Sequence, residues 1–265
     1  MYENSAGIDE KRLLWLAAGL AGLAFVFQFA WGWSGGFTAA QVFSTHFPDW
    51  FWESLTVFGD ERVLLALMLP FCWRYPRVFW SLVLAALIGG LVGQGIKVWL
   101  AVPRPAAMLA ADQITIIGNR LMNKSFPSGH TISAFAFAGV WLGMLGWRKL
   151  WPLLILAALT GFSRIAVGAH WPFDVLGAAL IGVLGAWLGI RLARHWRWGL
   201  RIHPHRGLVC VAAIAVATLP FEDQGYPGSL VLRIVVCLWG LAGFAVYYLL
   251  PLLRGGWRGQ DRFEA

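Results

Sequence analysis

Charge is what this chain has least of. Asp, Glu, Lys and Arg make up 13% of its 265 residues, against 59% hydrophobic. A soluble domain carries roughly 25% charge, so a water-covered globular fold is excluded. Cysteine is equally scarce. Cys72, Cys210 and Cys237 lie in or at the ends of apolar stretches, which leaves them as packing residues and excludes a disulfide or metal framework. No strand precedes the glycine run Gly89-Gly90-x2-Gly93-x-Gly95, so close helix packing is expected there and nucleotide binding is not. A nucleic-acid partner is excluded as well. The net charge of +8 is dispersed in short basic clusters between apolar runs, which is a topology signal.

Long apolar runs dominate what is present, with 17 Trp and 18 Phe among them. The expected fold class is all-α, a polytopic transmembrane helical bundle. Eight spans are expected: Leu13–Trp31, Leu55–Trp73, Val78–Leu100, His130–Trp147, Leu150–Ile165, Pro172–Leu192, Gly207–Leu219 and Leu230–Leu252. The first run is too long for a signal-peptide core and no clear cleavage site follows it, so it reads as an uncleaved span. Residues 32–54 read as an interfacial loop rich in Trp, Phe and Gly. Asp60, Glu61 and Arg62 interrupt the second span, either facing a pocket or pairing with one another. The 13 residues of Gly207–Leu219 fall short of the roughly 20 needed for a crossing, yet a crossing brings the charges into order. His203 and His205, in the basic stretch before it, are expected to be solvated.

With the N-terminus inside, fourteen of the 21 basic residues fall on inner segments and seven outside: Arg62, Lys97, Arg104, Arg120, Lys124, Arg164 and Arg233. Glu222 and Asp223 also fall outside. The positive-inside rule then puts the polar motifs on the extracytoplasmic side.

Three segments carry those motifs. Ser163 to Asp174 reads S-R-I-A-V-G-A-H-W-P-F-D. Alone, it also reads as a short polar loop between helices. Pro172 suits the first position of a helix, and Asp174, four residues after His170, can reach the imidazole, fix its tautomer and steady its charge during nucleophilic attack. Arg164 offers a forked cation for phosphate oxygens. In Phe126-Pro127-Ser128-Gly129-His130-Thr131, Ser128 can cap the following helix. Gly129 lets an anion approach the backbone amides, with His130 at its edge as a general acid. Lys97 and Arg104 are seven apart, about two helical turns, and Pro103 and Pro105 stiffen the exit. Each cation alone reads equally as a snorkelling residue or a cap; together the three segments form a phosphoryl-transfer inventory.

Lys97-x6-Arg104-Pro105, Pro127-Ser128-Gly129-His130 and Ser163-Arg164-x5-His170-x3-Asp174 together resemble the three-part signature of the type 2 phosphatidic acid phosphatase superfamily, over roughly residues 55 to 194. The resemblance implies a six-helix phosphatase core at 55–194, preceded by an N-terminal span and interfacial loop (1–54) and followed by a basic loop, two C-terminal spans and a tail (195–265). It implies a metal-independent phosphatase working through a phosphohistidine, with no cofactor. His170 would be the nucleophile, Asp174 its orienter and His130 the acid, while Lys97, Arg104, Ser128, Gly129 and Arg164 would hold the phosphoryl oxygens. Asp174 is the only acid in the three motifs, too few ligands for a catalytic divalent ion. The same superfamily includes soluble acid phosphatases and vanadium haloperoxidases, so the signature defines a pocket before a reaction.

The expected substrate is a membrane lipid phosphate whose tail stays in the bilayer. Undecaprenyl diphosphate leads, with lipid A phosphate and phosphatidylglycerol phosphate behind it. A phosphotransferase passing the group to a second lipid would use the same pocket. The longest core loop, 101–128, is expected to cover the site, and its Arg120 and Lys124 are spare cations for a second phosphate or contacts to lipid headgroups. The expected location is a bacterial-type inner membrane, and the oligomeric state stays open.

Overall fold

The computed structural model describes residues 10–221 and 225–254. Every regular element among the described residues is helical. In order they are α1 (Glu10–Trp31), α2 (Phe37–Ser44), α3 (Asp49–Val57), α4 (Glu61–Met68), α5 (Pro76–Leu100), α6 (Pro105–Met108), α7 (Gly129–Leu145), α8 (Trp147–Leu150), α9 (Pro152–Ala166), α10 (Pro172–His195), α11 (Ile202–Ala217), α12 (Leu230–Phe244) and α13 (Leu250–Leu253). Among the described residues, five helical stretches are long and apolar enough to cross a membrane: Glu10–Trp31, Pro76–Met108, Pro172–His195, Ile202–Phe221 and Pro227–Leu253. Outward aromatic side chains such as Trp15, Phe29 and Trp99, each more than three-quarters exposed, suit contact with lipid. The chain is a multi-pass membrane protein.

The centre of the bundle is α10 packed on α5, α7 and α1. Its core is built of small and branched apolar side chains, including Ala138, Val140, Leu142, Val183, Ala186 and Ile190. Helices α7 and α9 have only 17 and 15 residues, about 26 and 23 Å at 1.5 Å per residue. Both are shorter than the 25-residue α5, and the N-terminal end of α7 and the C-terminal end of α9 carry two of the three polar segments.

Several expectations need correcting. The second span is broken. Helix α3 ends at Val57, Asp60 caps α4 by accepting the amide of Arg62 at 2.8 Å, and a 3-10 turn (Leu69–Phe71) follows α4. A capping carboxylate satisfies amides that a continuous helix would bond internally, so the charged triplet starts a helix here. Residues 32–54 are not a plain loop, since they hold α2 and most of α3. Helix α11 begins at Ile202 and includes the basic stretch, which with the turn at Leu219–Phe221 gives 20 residues, enough to cross. His205 is consequently not solvated: it is buried, with Nε2 2.9 Å from Tyr248 Oη. Cys72 and Cys237 are buried, but Cys210 is exposed on α11. In the glycine run, Gly89 and Gly93 do pack close to Ile132 of α7, where a Cβ would come within 2.7 and 2.9 Å of its side chain. Gly90 and Gly95 face open space instead.

Candidate active site

The three segments converge where the C-terminal ends of α5 and α9 meet the N-terminal ends of α7 and α10. After Ala166 the chain folds back so that the amides of Ala169 and His170 both bond the carbonyl of Arg164, at 3.0 and 3.1 Å. Gly168 permits this fold. Its φ is +75°, and a Cβ there would sit 2.5 Å from the carbonyl oxygen of Thr115, so a side chain would be strained and would collide. Pro172 then opens α10 and Asp174, in its first turn, accepts the amide of Trp171 at 2.8 Å. The carboxylate thus caps the helix and faces His170 together.

His170 is 3% exposed and Asp174 fully buried. His170 Nδ1 lies 3.4 Å from Asp174 Oδ2, a long contact that substrate binding can tighten. The other nitrogen, Nε2, is 3.2 Å from Arg104 Nη1. An arginine can only donate, so Nε2 carries the lone pair and the proton is left on Nδ1, toward Asp174. Burial pushes the His170 pKa down to about 3, against the upward pull of the Asp174 hydrogen bond. The ring is neutral at neutral pH.

Arg104 is held by carbonyls of the 101–128 loop and of the turn before His170. Its Nε donates to Asn123 at 2.8 Å and its Nη1 to Ala169 at 2.8 Å. Arg164 is 3% exposed, and its Nη1 donates to Thr56 Oγ1 at 2.5 Å and Tyr226 Oη at 2.9 Å. Its Nε is buried without a partner. Lys97 completes the group: its Nζ lies 3.7 Å from where a Cβ on Gly129 would be. Lys97, Arg104 and Arg164 lie within electrostatic reach of one another, with Asp174 in reach of the first two and Glu61 of Lys97, and an entering anion would relieve the repulsion among the three cations.

The second segment differs in detail from expectation. Ser128 is buried, but its side chain does not cap α7. Its Oγ instead accepts from Thr131 Oγ1 at 2.9 Å, and its amide bonds the Asp174 carbonyl at 3.4 Å. It therefore ties α7 to α10. His130 lies within electrostatic reach of Arg164, His170, Lys97 and Arg104, with Nε2 buried and unpartnered. Gly59 abuts its backbone and Cβ. The structure thus brings together all eight expected site residues. Arg120 and Lys124 stay on the exposed covering loop, and Arg120 Nη2 already donates to Ala106 at 3.0 Å.

Five neighbours escaped the motif reading. Ser125 donates to Asp174 Oδ2 at 2.5 Å and Trp33 Nε1 to Asp174 Oδ1 at 2.9 Å. Thr56 and Tyr226 hold Arg164. Gln41, buried in α2, donates to the carbonyls of Ile165 and Ala166 and accepts the amide of Thr115, locking the turn before His170. Ser125 was within reach, being one residue from Phe126. The others lie 62 to 141 positions from their partners, too far for any spacing rule.

A groove of about 870 Å3 leads away from Lys97, Gly129 and His130 between α4, α5 and α7. Its site end carries Asp60, Glu61, Arg62, Gln94 and Ser133, and its far end is lined by Met68, Leu82, Val83 and Phe137. Asp60 and Arg62 pair at 2.6 Å, while Glu61 Oε1 accepts from Ser133 Oγ of α7 at 3.2 Å. Both readings of the charged triplet therefore hold, since it is internally paired and lines the groove.

Residues 78–198 match the model of the PAP2 superfamily. The chain is 34% identical over 149 residues to an undecaprenyl-diphosphatase of Bacillus subtilis, covering 53% of this chain and 75% of that protein. It is 28% identical over 194 residues to phosphatidylglycerophosphatase B of Escherichia coli, covering 54% and 76%. The crystal structure of Aquifex aeolicus LpxE superposes with a TM-score of 0.50 at 29% identity, over 54% of this chain and 85% of that one. The chain belongs to the PAP2 superfamily and is a membrane lipid phosphatase.

Proposed function

We propose that this phosphatase hydrolyses undecaprenyl diphosphate through a phosphohistidine at the extracytoplasmic face of a bacterial-type inner membrane. The observation that carries the chemistry is the orientation of His170, with Nδ1 toward Asp174 and Nε2 under the Arg104 guanidinium among three cations. An imidazole so held offers its lone pair where a phosphoryl group would be gripped. In this reading Nε2 attacks phosphorus in line as the bond to the leaving oxygen breaks, and His130 gives that oxygen its proton. Lys97, Arg104 and Arg164, with Gly129 leaving the approach open and Ser128 fastening the helix behind it, neutralise the equatorial oxygens. Water then attacks the phosphohistidine and returns a proton to His130. The core of this machine is residues 55–194, with 1–54 and 195–265 built around it.

The groove supports a lipid substrate, since its apolar far end suits a hydrocarbon tail and its polar end meets the cations. The likeness to an undecaprenyl-diphosphatase favours the polyprenyl diphosphate. The likeness to phosphatidylglycerophosphatase B favours phosphatidylglycerol phosphate as the second reading. Phosphate release from undecaprenyl diphosphate, phosphatidylglycerol phosphate and lipid A, compared in one detergent, tests the choice. Undecaprenyl diphosphate is expected to be fastest; if it is slowest, the substrate assignment falls. His170→Ala should lose at least about a thousandfold in rate, and an acid-labile phosphohistidine should be trapped in the wild type. Transfer to an added lipid acceptor in place of water would make the enzyme a phosphotransferase.

A further inference from the structure

We infer that Trp33, in the turn between α1 and α2, is a positioning residue for catalysis, holding the Asp174 carboxylate in the plane that directs it at His170. The inference rests on the reading that Asp174 orients His170. It goes beyond that reading because Trp33 lies outside both the three motifs and the region matched by the family model.

The two oxygens of Asp174 are unequally served. Oδ2 accepts from Ser125 at 2.5 Å and from the Trp171 amide at 2.8 Å, and faces His170 Nδ1 at 3.4 Å. Oδ1 accepts from Trp33 Nε1 at 2.9 Å. A carboxylate gripped at one oxygen still turns about its side-chain bond; a donor on the second oxygen stops that rotation. Trp33 is well anchored for the task. Its ring meets Phe126 edge-on at 5.2 Å and lies 4.7 Å from Phe173, and those two rings stack on each other. Phe126 directly precedes Pro127, and Phe173 directly precedes Asp174. The indole is thus pinned by both catalytic segments, and its N–H is the one polar atom it brings.

A hydrogen bond to a carboxylate also disperses its negative charge, which tempers the pull of Asp174 on the Nδ1 proton. The charged groups within electrostatic reach of Asp174 are His170 on the same turn, Lys97 on α5 and Arg104 after it, while Arg164 on α9 acts on His170 itself. None of these supplies a donor to Oδ1. Without the indole N–H, the carboxylate charge is less dispersed and stabilises protonated His170 more strongly. That moves the acid limb of the pH–rate profile upward.

Trp33→Phe keeps an aromatic ring against Phe126 and Phe173 and removes the N–H. In the full-length protein we expect kcat to fall about tenfold, KM to stay within about twofold and the acid limb to rise by about half a unit or more. If Trp33→Phe is poorly folded, β-(3-benzothienyl)alanine incorporated at position 33 keeps the bicyclic shape and lacks only the donor. In an Asp174→Asn background, Trp33→Phe should cost little further activity, because the two act as one unit. Wild-type kcat and an unmoved acid limb in the isosteric variant would overturn the inference, as would losses that add in full in the double variant. The underlying reading fails separately: Asp174→Asn with full activity would remove it, whereas an inactive Asp174→Asn beside a fully active Trp33 variant removes only the role of Trp33.

Discussion

His170 is subject to two opposed influences, and their balance sets its chemistry. Burial disfavours the imidazolium, Asp174 favours it, and burial prevails, so the group titrates at about 3 in the fold against roughly 6.5 in an unfolded chain. Between those values the unfolded state binds more protons than the native state. Native stability contributed by this group is therefore full above about pH 6.5 and is lost as pH falls toward 3. Thermal unfolding in detergent, followed from pH 7 down to pH 4, should show a falling midpoint, and His170→Gln should flatten part of that slope. An unchanged slope in the variant would mean that other groups carry the acid sensitivity. The cation cradle makes a second residue-level prediction. Phosphate release should survive excess EDTA, because charge neutralisation comes from Lys97, Arg104 and Arg164, and orthovanadate should inhibit by occupying their centre. Activity lost on chelation and restored by magnesium would contradict this.

At the scale of elements, the short, capped α4 matters more than its length implies. The start of α4 at Asp60 and the bare surface at Gly90 border the groove between α4, α5 and α7. Gly90 has no neighbour within 4 Å of a built Cβ, so Gly90→Leu fits the fold, costs little helix stability and fills the groove. For a long-chain diphosphate KM should rise about tenfold or more, while a short water-soluble phosphate ester should be hydrolysed at the wild-type rate. Equal effects on both substrates would mean that the groove does not house the tail.

The whole molecule is organised around one polar end of its helical bundle. Fourteen of the 21 basic residues lie at the opposite end in the reading that places the site outside; Arg258 and Arg262, counted inside, and Glu222 and Asp223, counted outside, lie beyond the described residues. In a background lacking the three native cysteines, a cysteine within residues 106–125 should react with an impermeant thiol reagent in intact cells. One within 197–206 should react only after permeabilisation. The reverse pattern would turn the protein over and require a cytoplasmic substrate. The C-terminal spans also belong to this organisation, because Tyr226, just before α12, reaches Arg164 in α9. These spans help hold a site residue.

The helical class and the eight residues that the fold brings together were legible from the chain alone, because hydropathy and short-range spacing are local properties: Pro172 starts a helix, and Asp174 four residues after His170 must lie near it. Local reasoning also set its own bounds. Hydropathy predicts Leu55–Trp73 as one span because apolar content hides a cap, and it starts the seventh span at Gly207 because basic residues look like loop when helix geometry is ignored. What holds the site in place was decided only by folding. Trp33, Gln41, Thr56 and Tyr226 reach their partners across 62 to 141 positions of sequence. A buried carboxylate or guanidinium must be satisfied by whatever donors and acceptors the assembled helices deliver, and periodicity carries no record of which those will be.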